Sequence, residues 1–174
     1  GDITLSAEGS VNRTVGGVCG QLLSSTVSRC TNNGDVSAMA YHAAGIAASV
    51  STSSGQDPGA VISCLNNGAV TSGAASGYAA GIAAAVSGSS GIEACVSLGH
   101  VSGATAHAIA AYNSNGSFSN NYYDIAITSV GTIPDAVTEG STGKAAAELH
   151  TQGFVDEVNG QGGQFRLDQD GRLE

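Results

Sequence analysis

Val61-Ile-Ser-Cys64-Leu-Asn-Asn67-Gly68-Ala-Val70 is followed a little further on by Ala79-Ala80-Gly81-Ile82-Ala83-Ala84, and both motifs return elsewhere in the chain. The first reads apolar, two residues, Cys, three residues, Gly, any residue, Val. It recurs as Val27-Ser-Arg-Cys30-Thr-Asn-Asn33-Gly34-Asp-Val36 and as Ile92-Glu-Ala-Cys95-Val-Ser-Leu98-Gly99-His-Val101, and a shortened copy, Glu8-Gly9-Ser10-Val11, stands near the start. The second motif alternates with it as Val15-Gly16-Gly17-Val18-Cys19-Gly20, Ala43-Ala44-Gly45-Ile46-Ala47-Ala48 and Ala106-His107-Ala108-Ile109-Ala110-Ala111. Two motifs in fixed order, repeating every ~31 residues through residue 123, are the signature of a repeat architecture.

Within each motif the apolar positions alternate at period two, which is the periodicity of a strand. Ala44, Ile46, Ala48 and Val50 share one parity, as do Ala80, Ile82, Ala84 and Val86. Turn-rich stretches separate the motifs, notably 51–59 and 87–91, and their lengths differ between copies. Asn33-Gly34 and Asn67-Gly68 are expected to supply left-handed corners. One such unit has no partner for its apolar face, so units must stack. The expectation is an all-β fold, a β-solenoid of about 3.5 repeats of ~31 residues with a small α/β C-terminal cap. Equivalent residues then form ladders: Ile46, Ile82 and Ile109 in one, Cys30, Cys64 and Cys95 in another. A helical reading of the Ala-rich runs is the alternative, weakened by Gly45 and Gly81 in mid-run.

Composition agrees with thin, closely stacked layers. Among 174 residues there are 26 Gly, 2 Pro and no Trp, and only 11% are charged. The 5 Lys and Arg face 14 Asp and Glu, for a formal net charge of −9, and the stretch from Cys30 to Tyr123 has no Lys or Arg. Nucleic-acid binding requires a basic stripe, so that class is excluded. No apolar run reaches the ~18 residues of a membrane span. Nine of the fourteen acids fall in 124–174, which marks a change of structure near Asp124. The reading is therefore a repeat array over 1–123, truncated at its N-terminus, and a cap over 124–174 with one short helix interrupted near Gly153. Gln164-Phe165-Arg166-Leu167 is a candidate last strand. The four cysteines lack CxxC or zinc spacing; Cys30, Cys64 and Cys95 read as free buried thiols, with a disulfide as the alternative.

These residues resemble the GLUG-type repeats of bacterial surface proteins. The alternation of VGGVCG or AAGIAA with NNGxV carries the likeness, together with Ser119-Asn120-Asn121-Tyr122-Tyr123-Asp124 at the end of the array. Ala147-Glu148-Leu149-His150-Thr-Gln-Gly-Phe154-Val155-Asp-Glu-Val158-Asn159 is similar to the helix that follows such arrays. Ala replaces Gly at several positions, and Asn121 stands where a last Cys is usual. The resemblance implies a non-enzymatic structural or adhesive module, secreted or on the bacterial cell surface, belonging to a larger parent chain. Its partners would be host glycans or surface proteins.

Chemistry-bearing residues are sparse. Asp35, Asp57 and Glu93 occupy different phases of the repeat, so a paired-carboxylate site is not expected. His42, His100, His107 and His150 occur without a nucleophile motif; His42 and His107 lie near the start of the Gly-Ile segment and are candidates to approach across coils. Asp168-Gln-Asp170-Gly171 mimics the start of a calcium loop but lacks the 12-residue frame. Asn12-Arg-Thr14 and Asn115-Gly-Ser117 match a glycosylation acceptor at chance level. No catalytic residue, metal ligand or cofactor is expected. The candidate ligand contacts are Tyr41 and Tyr78, just before the Gly-Ile motif, and Tyr112 just after it. They support a carbohydrate- or protein-binding face as the second reading; an accessory region of a larger surface protease or lyase is the third.

Overall fold

The computed structural model describes residues 1–5, 13–39, 41–127 and 140–174. The shortened repeat copy at Glu8–Val11 and the acceptor Asn12 lie outside them.

The chain runs through five short strands and then repeats the course beside itself. The first pass is β1 (Ile3–Leu5), β2 (Thr14–Gly16), β3 (Cys19–Leu23), β4 (Thr26–Ser28) and β5 (Thr31–Asn32). The second is β6 (Val36–Ala38), β7 (His42–Ala44), β8 (Ala47–Ser51), β9 (Ala60–Ile62) and β10 (Leu65–Asn66). A third follows as β11 (Val70–Ser72), β12 (Tyr78–Ala80), β13 (Ala83–Ser87), β14 (Gly91–Glu93) and β15 (Val96–Ser97). Then come β16 (Val101–Ser102), β17 (Thr105–His107), β18 (Ala110–Ser114), β19 (Ser117–Ser119) and β20 (Asn121–Asp124). Each strand pairs in parallel with its counterpart in the next pass, giving five sheets ordered as β1-β6-β11-β16, β2-β7-β12-β17, β3-β8-β13-β18, β4-β9-β14-β19 and β5-β10-β15-β20. β21 (Ser141–Lys144) extends the fifth sheet beside β20. Parallel sheets stacked in register make the protein mostly β and β-solenoid-like.

Equivalent residues stand over one another. Ile46 N–H donates to Ile82 O at 3.3 Å, and Ile82 N–H donates to Ile109 O at 3.3 Å. All three side chains are buried in one cluster with Val50, Val61, Val86 and Ile92. The thiol positions align as well: Leu65 N–H donates to Cys30 O, Val96 N–H to Cys64 O and Tyr122 N–H to Cys95 O. Every cysteine is a free thiol; Cys64 and Cys95 are buried, whereas Cys30 is half-buried in the first pass. Asn121 ends this column where a fourth thiol would stand. Its amide oxygen accepts from Cys95 N–H at 3.0 Å, and its amide nitrogen donates to Ile92 O at 2.9 Å.

The two motifs are fitted to each other. Asn32 and Asn66 point inward, and Asn32 Nδ2 donates to Asn66 Oδ1 at 2.8 Å. A Cβ on Gly17 would strike the Asn32 amide, and one on Gly45 would strike the Asn66 amide. Ser97 takes the asparagine's place against Gly81. The glycine of one motif is thus required by the inward polar side chain of the other, since well-packed interiors have no spare volume.

The expected left-handed corners at Asn33-Gly34 and Asn67-Gly68 need correction. Positive φ falls instead on Arg29 (55°), Ser63 (52°), Ala94 (49°) and Asn120 (56°), each one residue before the thiol column or Asn121. Gly34, Gly68 and Gly99 are glycine because a Cβ would meet the carbonyl of Gly1, Gly34 or Gly68 in the preceding pass.

Among its described residues the C-terminal segment forms two short helices where one was expected. α1 (Ala146–Leu149) and α2 (Gln152–Asn159) are separated at His150–Thr151, and Gly153 lies inside α2. Thr151 causes the break: its hydroxyl donates to Glu148 O and accepts from Phe154 N–H, capping α2. Gln164–Leu167 is no strand; Leu167 makes one isolated antiparallel bridge to Leu173. Leu149, Phe154, Val155, Val158, Phe165 and Leu173 bury themselves against Leu65, Val96 and Tyr122. Those three alternate with the inward Cys and Asn positions, so they face outward from the fifth sheet. The segment covers that flank, because three large apolar side chains there would otherwise meet water.

Candidate functional site

Tyr41, Tyr78 and Tyr112 come together. Tyr78 opens β12 and stands in register with His42 of β7; Tyr112 projects from β18 in register with Ala85 of β13. Tyr78 N–H donates to Tyr41 O at 2.7 Å, which ties the two passes at this point. The Tyr41 and Tyr78 ring centroids are 5.5 Å apart with the planes at 89°. Tyr78 and Tyr112 follow at 5.7 Å and 55°. His42 completes the group, 4.7 Å from Tyr41 and 5.7 Å from Tyr78. The four rings run diagonally over three passes.

Against Tyr78 lies a floor of methyl groups. Ala44, Ala48, Ala80, Ala84 and Ala111 form one buried cluster with the half-buried Tyr78 against it. The face expected to hold Ala44, Ile46, Ala48 and Val50 together is split: Ile46 and Val50 join the cluster of Ala47 and Ala83, Ala43 and Ala79 pack with the valines of the first sheet, and Ala44 and Ala48 gather separately where the second and third sheets meet. Sequence reasoning missed this floor. Its signal was the doubled Ala on each side of Gly-Ile, one Ala for each face.

The electrostatics are those of a neutral, partly dry surface. Burial lowers the pKa of His42, leaving its imidazole uncharged at pH 7. Burial, then the neighbouring Tyr41 and Tyr112, raise that of Tyr78. Tyr41 and Tyr112, each in ring contact with Tyr78, remain 37% and 45% exposed.

The other sequence candidates do not assemble. His107 aligns with Ala80 and Ala44, two residues out of step with His42, so the histidines do not face each other. His107 is buried at 2% exposure and its Nδ1 has no partner, and burial lowers its pKa. Asp35 spends its carboxylate on Ala69 N–H at 2.8 Å. Asp168 accepts from the N–H groups of Asp170 and Arg172, both at 2.8 Å, closing a turn that leaves no calcium frame. Asn115 is exposed in a turn at φ 66°. Burial, with the adjacent Cys64 adding to it, pushes the Cys95 thiol well up, so Cys95 holds its proton. Among the described residues no three His, Cys, Asp or Glu side chains are placed to hold a metal ion. Among them too, no helix is long and apolar enough to cross a membrane.

Fold and site together define a β-solenoid-like array bearing an exposed aromatic row. No family model, curated protein or solved structure matches the chain.

Proposed function

We propose that this chain is a non-enzymatic adhesive repeat module of a bacterial cell-surface or secreted protein, with the Tyr41–Tyr78–Tyr112 row as its contact face. On this reading it is a GLUG-type array of about 3.5 repeats of ~31 residues, closed by residues 124–174 as a cap and carried on a larger parent chain. The observation that carries it is the aromatic row. Three tyrosines that are far apart in sequence form one strip, and exposed aromatic clusters on a stacked array mark contact surfaces. Solenoids bind along such extended faces and need no pocket. The module then works as a stalk whose side is adhesive, with host glycans or surface proteins as partners.

The test is a glycan-array screen paired with binding to mucin and extracellular-matrix proteins. Saturable binding by the protein, lost in Tyr41→Ala and Tyr78→Ala at unchanged melting temperature, is expected. Binding that survives both substitutions, or none at all by a folded sample, would reduce the module to a passive spacer.

A further inference from the structure

We infer that the aromatic row takes the guanidinium groups of an extended, arginine-rich segment of a partner protein. This deepens the adhesive reading and rests on it, choosing a basic protein segment as the occupant.

Ring geometry is the first argument. A flat sugar-stacking platform needs coplanar faces, whereas Tyr41 and Tyr78 meet at 89° and Tyr78 and Tyr112 at 55°. Perpendicular rings form the two walls of a corner, which suits a planar cation lying on one face while its edge meets the other. The second argument is the floor. Sugars need several polar groups to orient them, whereas the cluster packed against Tyr78 consists of the methyl groups of Ala44, Ala48, Ala80, Ala84 and Ala111, and the column of Ala44 and Ala80 adds a single polar side chain, His107. Methyl groups leave the stem of a long basic side chain well packed.

Charge is the third argument. The chain carries a net charge of −9, and no Lys or Arg occurs between Arg29 and Lys144. Arg13 borders the row at one end, where its carbonyl accepts from His42 N–H at 3.2 Å; Tyr78 and Tyr112 belong wholly to the stretch without cations. The chain already uses this chemistry, with Lys144 Nζ lying 5.6 Å from the Tyr122 centroid and 6.0 Å from that of Phe154. Spacing is the fourth. Rings follow one another at 5.5 and 5.7 Å, near the ~6.6 Å that separates alternate side chains of an extended peptide. An open row over three passes therefore suits several cations in series better than one enclosed head group. Arg fits better than Lys, because its guanidinium is planar and weakly hydrated.

The test titrates the protein with an (Arg-Ser)3 peptide and with the same peptide carrying citrulline, which keeps the shape and removes the charge. Tyrosine NMR resonances report the site. Saturable shifts at Tyr41, Tyr78 and Tyr112 are expected, with citrulline binding about tenfold weaker and Tyr78→Ala weakening the arginine peptide about fivefold. Tyr78→Phe keeps the ring and should keep the binding; Tyr41→Ala, at an exposed position, gives a second variant if Tyr78→Ala melts early. Equal binding by the citrulline peptide, or by Tyr78→Ala at unchanged net charge, would overturn the inference. A glycan or mucin ligand lost in Tyr78→Ala, with no peptide shifts, would overturn it while leaving the adhesive reading intact.

Discussion

The repeat array and the C-terminal segment are held together by different physics. In the array, the ladders of Ile46, Ile82 and Ile109 and of Val36, Val70 and Val101 bury small and medium side chains between parallel backbones. The segment of residues 140–174 relies on individual contacts. Phe154 meets Tyr122 edge-to-face at 5.0 Å, Lys144 pairs with Glu157 at 3.0 Å and Arg166 with Glu174 at 2.7 Å. Arg172 and Asp170 approach to 3.9 Å in the same segment. Stacking makes each array residue answer to its neighbours above and below, so an error there propagates along the stack. In the segment an error stays local.

Glycine offers the sharpest way to break that contrast. A Cβ on Gly81 would strike the Ser97 side chain and the Ala108 carbonyl, whereas one on Gly153 in α2 meets only Thr151 Oγ1 at 4.0 Å. Gly81→Ala should cost about 3 kcal/mol or more in denaturant unfolding. Gly153→Ala should instead stabilise the helix by up to about 1 kcal/mol. A similar cost at both positions would erase the distinction.

Core truncation comes next. Ile82→Ala should destabilise the whole protein by about 3 kcal/mol, because Ile82 is fully buried between Ile46 and Ile109. Val18 heads that column in the first pass yet is 42% exposed, so Val18→Ala should cost under about 1 kcal/mol. Phe154→Ala should release the segment alone: hydrogen exchange would rise across 146–173 and stay slow at Ile46, Ile82 and Ile109.

Alkali and acid should separate the regions too. Tyr122 donates to Glu157 at 3.0 Å and to Gln161 at 2.8 Å, and burial, with the Glu157 carboxylate adding to it, pushes its pKa up to about 12. A pKa raised by folding gives stability that is complete below the unfolded value, near 10 for tyrosine, and lost as pH rises through the folded one. The segment should therefore loosen between about pH 10 and 12 before the array does. His42 and His107 behave oppositely. Burial depresses both, so their contribution is present above about pH 6.5 and fades as acid takes pH down through the folded values. Acid should weaken the array first, followed by a pH-dependent melt. The smallest effect belongs to Lys144→Gln, under about 1 kcal/mol, since the Lys144–Glu157 pair is partly solvated.

Much of the array was legible in the sequence because stacked copies repeat their own errors and choices. The alternation around Ile46 and Ile82 gave the strands, and the recurrence of Cys30, Cys64 and Cys95 gave the register. The corners were not legible. Nothing marks Arg29, Ser63 or Ala94 as left-handed, because the stack imposes that turn on whatever residue precedes the thiol. Gly34 and Gly68 misled for the reverse reason, being small to admit a neighbouring carbonyl rather than to bend. Leu65, Val96 and Tyr122 carried no such sign in the sequence; they face outward from the fifth sheet and pack against the helices. The tyrosines were visible as individuals, but Tyr78 and Tyr112 sit on opposite sides of the Gly-Ile bend, and only the bend brings them together.

Solution NMR of the isoleucine methyl groups tests the stacked register most directly. The account predicts methyl contacts from Ile46 to Ile82 and from Ile82 to Ile109, with none from Ile46 to Ile109. Isoleucines showing only contacts to residues three or four positions away in sequence would make the Ala-rich runs helices and contradict the stack on which every other conclusion stands.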